Sequence, residues 1–403
     1  MKPISLIKLS FSIALLYLFF MPAYFKTLAA QNKYVTVKGK LNNTPEKSKL
    51  YLYEIDIQSI VPLDSTVLKK NGKFSFNIYT NETKLLLLRT NKNIMIKLAA
   101  NPGEIINING DFNDLLMTYT LDGSNDSEII RRIDQKMMSV NQKIHYNYNI
   151  LNKQPAENKE RIYDSINVII NETVDEFKLF LLSLINETPS SLASLIAINQ
   201  VLMNKMIINY ENDLDTYIKL NKSLLEKHPN NKHVSLFNNN LMDYLNLKAE
   251  HDAIEQRAGI GVKANDITLF DTDSNKISLS DLKGKTILLH FWNPSCDVCR
   301  EENKLLHQLY QKYRNMEFEI FAVSIGTSWR DWIYAINEDK INTWKNVKIP
   351  EEGIDVPNLS SYYVALYGVK SIPYSFLIDK NGFIINKGFK GDVMDELLQD
   401  VLQ

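Results

Sequence analysis

The sequence predicts a multi-domain chain: an N-terminal antiparallel β sheet or sandwich, a central α-helical region and a C-terminal α/β unit. Three observations carry that reading. Apolar residues recur mostly with period two from about Tyr34 to Leu121 and with steps of three and four from about Asp126 to Arg257. From about Ala258 onward, strand-like and helix-like blocks alternate. A length of 403 residues is long for one domain and leaves room for two or three compact units.

Residues 1–30 stand apart from these regions. MKPISLIKLSFSIALLYLFFMPAYFKTLAAQN has lysines at Lys2 and Lys8, an apolar run from Leu9 to Met21, and small residues at Thr27, Ala29 and Ala30. A charged start, an apolar middle and a small-residue exit make a secretory signal peptide, with cleavage expected after Ala29 or Ala30. Extension of the apolar stretch through Phe25 keeps an uncleaved N-terminal membrane anchor as the alternative, because a bilayer span takes about 20 residues. The expected location is therefore outside the cytoplasm, in the periplasm or cell envelope.

The β-rich region covers residues 31–122. YVTVKGK and KLYLYE alternate apolar with polar residues. LDSTVLKKNGKFSFNI places Asn71-Gly72 between two alternating runs, which predicts a hairpin, since both turn positions favour positive φ. LLLLR, IMIKLA and EIINING follow, the last two joined by an Asn-Pro-Gly turn at Asn101–Gly103, for about seven strands in all. With no cysteine, histidine or carboxylate cluster of catalytic spacing, this region reads as a binding or positioning module, or as a spacer.

In the helical region, residues 123–257, Ile129, Ile133, Met137, Val140 and Ile144 form one apolar stripe. Thr188-Pro189 predicts a helix start, with threonine as N-cap and proline in the first helical position. Pro155, Pro189 and Pro229 divide the region into about four helices, and His228 and His233 read as surface loop residues.

The unit spanning 258–403 begins its core with KTILLHFW, an apolar strand without alternation, as expected when both faces are covered. A helix is predicted from near Cys296 past Leu309, with Leu305, Leu306, Leu309 and Tyr313 facing inward. FEIFAVSI is a second buried strand, followed by a helix over Trp329–Ile341. PYSFLIDKNGFIINKG is a hairpin turning at Asn381-Gly382, and MDELLQDVLQ closes the chain as a helix.

Chemistry concentrates in HFWNPSCDVCREE, which holds the chain's two cysteines, Cys296 and Cys299. Closing so short a loop constrains the unfolded chain little, so stability is a poor reason for the pair. A structural zinc site wants four ligands and there is no second pair, so no metal is expected. A buried strand, a short turn and C-x-x-C at a helix start form a redox context. The helix N-terminus stabilises a thiolate on Cys296, with Arg300 adding positive charge and Asp297 opposing it. Cys296 is then the attacking sulfur and Cys299 the resolving one. The competing readings are a permanently closed disulfide and an inert vestige. A formal net charge of −1 leaves no basic excess for nucleic acid.

The segment from about Ala258 to Gln403 resembles thioredoxin-fold proteins, specifically the TlpA/ResA-like envelope thiol–disulfide oxidoreductases. The resemblance rests on ISLSDLKGKTILLHFW, the C-x-x-C helix, FEIFAVSI, YGVKSIPYSFLIDKNG and KGFKGD. It implies a cis-proline at Pro373, a substrate-docking edge at Ile372-Pro373, and a strand–helix insertion that includes the Trp329–Trp344 stretch. It also implies disulfide-bearing envelope proteins as clients and a membrane electron donor, since the chain has no nucleotide-binding glycine loop and needs no cofactor of its own. The stretch from about Lys33 to Leu121 is similar to a β-rich domain of unknown function that often precedes such domains. Two departures matter: Ser295 stands where family members commonly have tryptophan, and Asp297-Val298 replaces a proline-containing dipeptide.

Three further side chains complete the predicted site. Glu302 matches a glutamate near the active site of ResA-like reductases; a solvent-facing helix residue is the competing reading. His290 occupies the place of a buried aspartate or asparagine in related proteins, where it would take the Cys299 proton near neutral pH; a satisfied core histidine is the alternative. Trp292 is expected to support the substrate-facing wall. Two other functions compete with the oxidoreductase. A thiol peroxidase would need a different spacing than Pro294-Ser295-Cys296 provides. A non-enzymatic envelope binding protein would use the C-terminal unit only for docking.

Overall fold

A computed structural model of the protein describes residues 33–350, 359 and 361–402. The predicted signal peptide, residues 1–30, lies outside the described residues. Contacts group the chain into two compact units, divided between Tyr244 and Leu245.

The first unit opens with seven strands: β1 (Tyr34–Asn42), β2 (Lys49–Ile55), β3 (Ile60–Val67), β4 (Lys73–Tyr79), β5 (Lys84–Thr90), β6 (Met95–Ala100) and β7 (Ile105–Asp111). A one-turn helix α1 (Leu115–Thr118) and β8 (Thr120–Asp122) complete two four-stranded sheets, ordered β4-β1-β7-β8 and β3-β2-β5-β6. Pairing is antiparallel except between β1 and β7, which run parallel. Alternation places Val35, Val37, Phe76 and Ile108 of one sheet and Leu50, Leu52, Leu88 and Leu98 of the other in one core.

The hairpin expected at Asn71-Gly72 does not form. β3 pairs with β2 and β4 with β1, so this turn carries the chain from one sheet to the other. Gly72 takes a left-handed φ of 68°, and its carbonyl accepts from Leu41 N at 2.9 Å on β1. Turn chemistry marks where the chain reverses, whereas burial of both inner faces decides which strands pair.

The helices of this unit are α2 (Asn125–Asn152), α3 (Ala156–Glu187), α4 (Leu192–Ile198) and α5 (Tyr210–Lys227), with a two-residue ladder of β9 (Val201–Leu202) and β10 (Lys205–Met206) before α5. A further helix, α6 (Lys232–Ala258), starts here and ends in the second unit. Ile129, Ile133, Val140 and Ile144 are buried as the stripe predicts. Ser127 Oγ donates to Ala99 O at 2.8 Å, fastening α2 to β6, so sheets and helices share one unit. Thr188 ends α3 instead of starting α4. Its hydroxyl donates back to Leu184 O at 2.9 Å, and Ser191 caps α4 by accepting from Ala193 N at 3.0 Å. His228 and His233 are half-buried, their Nε2 atoms 3.0 Å from Ser190 O and Ile55 O respectively; burial lowers the pKa of both. They tie the helices in place and are not free loop residues. No described helix is long and apolar enough to cross a membrane.

In the second unit β11 (Thr268–Phe270) and β12 (Lys276–Ser278) lead through a 3-10 turn at Leu279–Leu282 to β13 (Thr286–Trp292), α7 (Asp297–Tyr313) and β14 (Phe318–Ser324). Next come α8 (Trp329–Glu338), β15 (Lys345–Lys348), α9 (Tyr362–Tyr367), β16 (Tyr374–Ile378), β17 (Ile384–Lys387) and α10 (Gly391–Leu402). The seven strands form one mixed sheet, β12-β11-β15-β14-β13-β16-β17, consistent with a thioredoxin fold. Every residue of β13 and β14 is buried, which explains why their sequences lack alternation. Leu289, Phe291, Val323 and Phe376 pack on one face, and Leu288, Trp292, Ala322 and Leu306 on the other.

Two helix details differ from expectation. Leu305 is 46% exposed, because the inward face of α7 is Cys299, Asn303, Leu306, Tyr310 and Tyr313, which leaves Leu305 off the stripe. Helix α8 stops at Glu338, short of Ile341, where Lys340 takes a left-handed φ of 59°. The hairpin at Asn381-Gly382 forms as β16–β17, with Gly382 at φ 90° and Asp379 Oδ1 accepting from Asn381 N and Phe383 N.

Candidate active site

Strand β13 delivers the chain to the head of α7 at the level where the sheet's central strands end. Cys296 is the N-cap of α7, in an extended conformation (φ −97°, ψ 106°), and its Sγ accepts from Cys299 N at 3.1 Å. The two cysteines are joined as a disulfide with Cα atoms 5.2 Å apart, the separation such a bond requires. They differ in access. Cys296 is half-buried between exposed Ser295 and exposed Asp297, while Cys299 is fully buried. Val298, between them, is 67% exposed and gives the turn an apolar outer surface.

The turn before Cys296 is held by Asn293, which sequence reasoning missed. Its side chain is buried; Nδ2 donates to Ile325 O and to Gly326 O at 2.7 Å, and Oδ1 accepts from Ser295 N at 2.7 Å. One amide thereby links the end of β13 to the end of β14 and fixes the entry to the redox pair. An asparagine directly after a buried strand and before Pro294-Ser295 is the only local signal for it.

His290 lies on the face of β13 that packs against α7, as its shared parity with Leu288 and Trp292 requires. It is fully buried, and Nδ1 is 2.8 Å from Ser375 Oγ on the neighbouring β16. Nε2 has no hydrogen bond of ordinary geometry, nor has Asn303 Oδ1. Burial pushes the imidazole down to about 4, against a smaller opposing pull from Asn303. His290 is therefore neutral at pH 7 and does not titrate near neutrality, which corrects that part of the expectation.

Trp292 is fully buried among Cys299, Leu306 and Trp332. It supports the wall from beneath and offers no surface to a client, so it leaves the substrate-contact set. Glu302 is half-buried on α7, one turn beyond Cys299. Arg300 is not free to act on Cys296: its guanidinium pairs with Asp339 at 2.6 Å and Glu338 at 2.7 Å. The Ile372–Pro373 bond is cis and immediately precedes β16. Ile372 is half-buried and packs, like Cys296, on the cluster containing Trp292.

Comparison with known proteins agrees with this geometry. Residues 260–387 match the AhpC/TSA family, and residues 35–129 match a domain of unknown function (DUF4369). The thiol-disulfide oxidoreductase ResA of Bacillus thuringiensis subsp. konkukian is 31% identical over 152 residues, covering 37% of this chain and 80% of that protein. ResA of Bacillus subtilis is 28% identical over 145 residues, or 35% of this chain and 73% of the relative. Among solved structures, the thioredoxin domain of a thiol-disulfide oxidoreductase from Bacteroides vulgatus is 30% identical with a TM-score of 0.33, covering 36% of this chain and 98% of that one. The AhpC/TSA match takes in the strand–turn–helix that carries the disulfide, and at 31% identity over 80% of that relative the chain belongs to the ResA family of thiol–disulfide oxidoreductases.

Proposed function

We propose that the protein is an exported reductant of disulfides on envelope proteins, recharged by a membrane electron donor. The observation that supports this most directly is the unequal access of the two sulfurs: Cys296 half-buried at a helix head, Cys299 enclosed behind it. The Cys296 thiolate attacks one sulfur of a client disulfide, forming a mixed disulfide and releasing the client's other sulfur as a thiol. Cys299 then loses its proton and attacks Sγ of Cys296, releasing the second client thiol. The client gains two electrons and two protons, and the Cys296–Cys299 disulfide remains. A donor dithiol reverses that last bond. The signal-peptide pattern of residues 1–30 supports export, and Ile372-Pro373 is the edge against which an extended client segment would lie. Glu302 is assigned to taking the Cys299 proton, and neutral His290, held by Ser375, to supporting the pair from beneath.

The test is the full chain carrying Cys299→Ala, expressed with its N-terminus intact. It is expected to accumulate mixed disulfides with envelope proteins through Cys296, released by dithiothreitol. Capture of no client under oxidising conditions, with the variant folded and exported, contradicts the reading.

A further inference from the structure

The C-terminal end of α8 reaches the first turn of α7 through charge. Arg300 Nε donates to Asp339 Oδ2 at 2.6 Å, and Nη2 donates to Glu338 Oε2 at 2.7 Å. Its third contact, Nη1 to Pro294 O at 3.4 Å, lays the same guanidinium against the turn that carries Cys296. Asp339, whose side chain is 2% exposed, also accepts from Asn303 Nδ2 at 3.0 Å, so it grips the inner face of α7 at a second point.

This arrangement carries a cost that packing does not explain. Carboxylates at a helix C-terminus meet the negative end of the helix dipole. A buried ion pair contributes little stability compared with apolar side chains of the same volume. What the carboxylates do achieve is to surround the guanidinium nearest the redox turn with opposite charge. Among the described residues, the other ionisable groups on the elements flanking that turn include Asp297 and Glu302 on α7, neutral His290 on β13, and Glu338 and Asp339 themselves.

We propose that Asp339, assisted by Glu338, is a positioning residue that fixes the Arg300 guanidinium beside the Cys296 turn and neutralises its charge, and so keeps the couple on the reducing side. Stabilising the thiolate stabilises the reduced pair and makes the disulfide more oxidising. A freed Arg300 would add its charge to the helix end already favouring the thiolate. Quenching it therefore lowers the potential. This inference rests on Cys296 being the reactive sulfur but not on any client, so its test stands apart from client trapping.

The experiment uses the purified full chain and follows two quantities: the pH midpoint of Cys296 alkylation and the equilibrium of the pair with glutathione. Asp339→Asn is expected to lower the midpoint by about 0.5 unit and to shift the equilibrium about threefold toward the dithiol. Arg300→Gln combined with Asp339→Asn is expected to restore both values. An unchanged or raised midpoint in Asp339→Asn overturns the proposal, as does a shift that persists in the double variant. Should Asp339→Asn fail to fold, Glu338→Gln, at a carboxylate 54% exposed, must move both readouts in the same direction by a smaller amount. No movement there overturns the proposal equally.

Discussion

The backbone N–H of Cys299 donates to Sγ of Cys296 across 3.1 Å, so the sulfur that reacts is also the group that caps its own helix. Opening the disulfide leaves that N–H aimed at a sulfur that gains negative charge. Local structure and chemistry therefore depend on one atom.

Capping makes a separable prediction. Serine is a good N-cap and alanine is not, so reduced Cys296→Ser should be more stable than Cys296→Ala by about 1 kcal/mol, although both lose all disulfide exchange. Urea denaturation of the two reduced variants measures the difference. Equal stability would mean that the Sγ contact contributes nothing to the helix.

A second prediction concerns acid. The pKa of His290 is about 4 in the folded chain, against about 6.5 for a free histidine. Between those values the unfolded chain binds the proton and the folded chain does not, so stability falls as pH drops from about 6.5 to 4. Above that window the contribution is fully present, and the loss across it is about 3 kcal/mol. His290→Leu should flatten this slope in stability measured at several pH values. A parallel slope in both proteins would contradict a buried, neutral imidazole.

The third prediction concerns the turn. Asn293→Ala leaves two buried carbonyls, Ile325 O and Gly326 O, without their donor and frees Ser295 N. A loss of about 2–4 kcal/mol is expected, with slower disulfide exchange, because the entry to Cys296 is no longer fixed. Thermal unfolding and a dithiothreitol-coupled exchange assay read the two effects. Wild-type stability would show that the amide is replaceable.

Much of this was legible in the sequence where local pattern decides. The unalternating runs of β13 and β14 announce strands covered on both faces, and Cys296 falls where the helix begins. The pairing of β3 and β4 was not legible, because Asn71-Gly72 specifies a turn and not the sheet that each flanking strand joins. Arg300 illustrates the same limit within the site. Its charge was readable from position alone, but the carboxylates that neutralise it lie 38 and 39 residues onward, brought near only by the packing of α8 on α7. Likewise, nothing local to Trp292 distinguishes a wall that faces a client from one that backs the disulfide.

One measurement bears most directly on the central claim that the two sulfurs have unequal roles. Fully reduced protein is pulsed briefly with iodoacetamide at neutral pH, and the labelled peptides are quantified by mass spectrometry. Cys296 should be modified at least about tenfold faster than Cys299. Equal rates, or faster labelling of Cys299, would contradict the assignment of Cys296 as the attacking thiol.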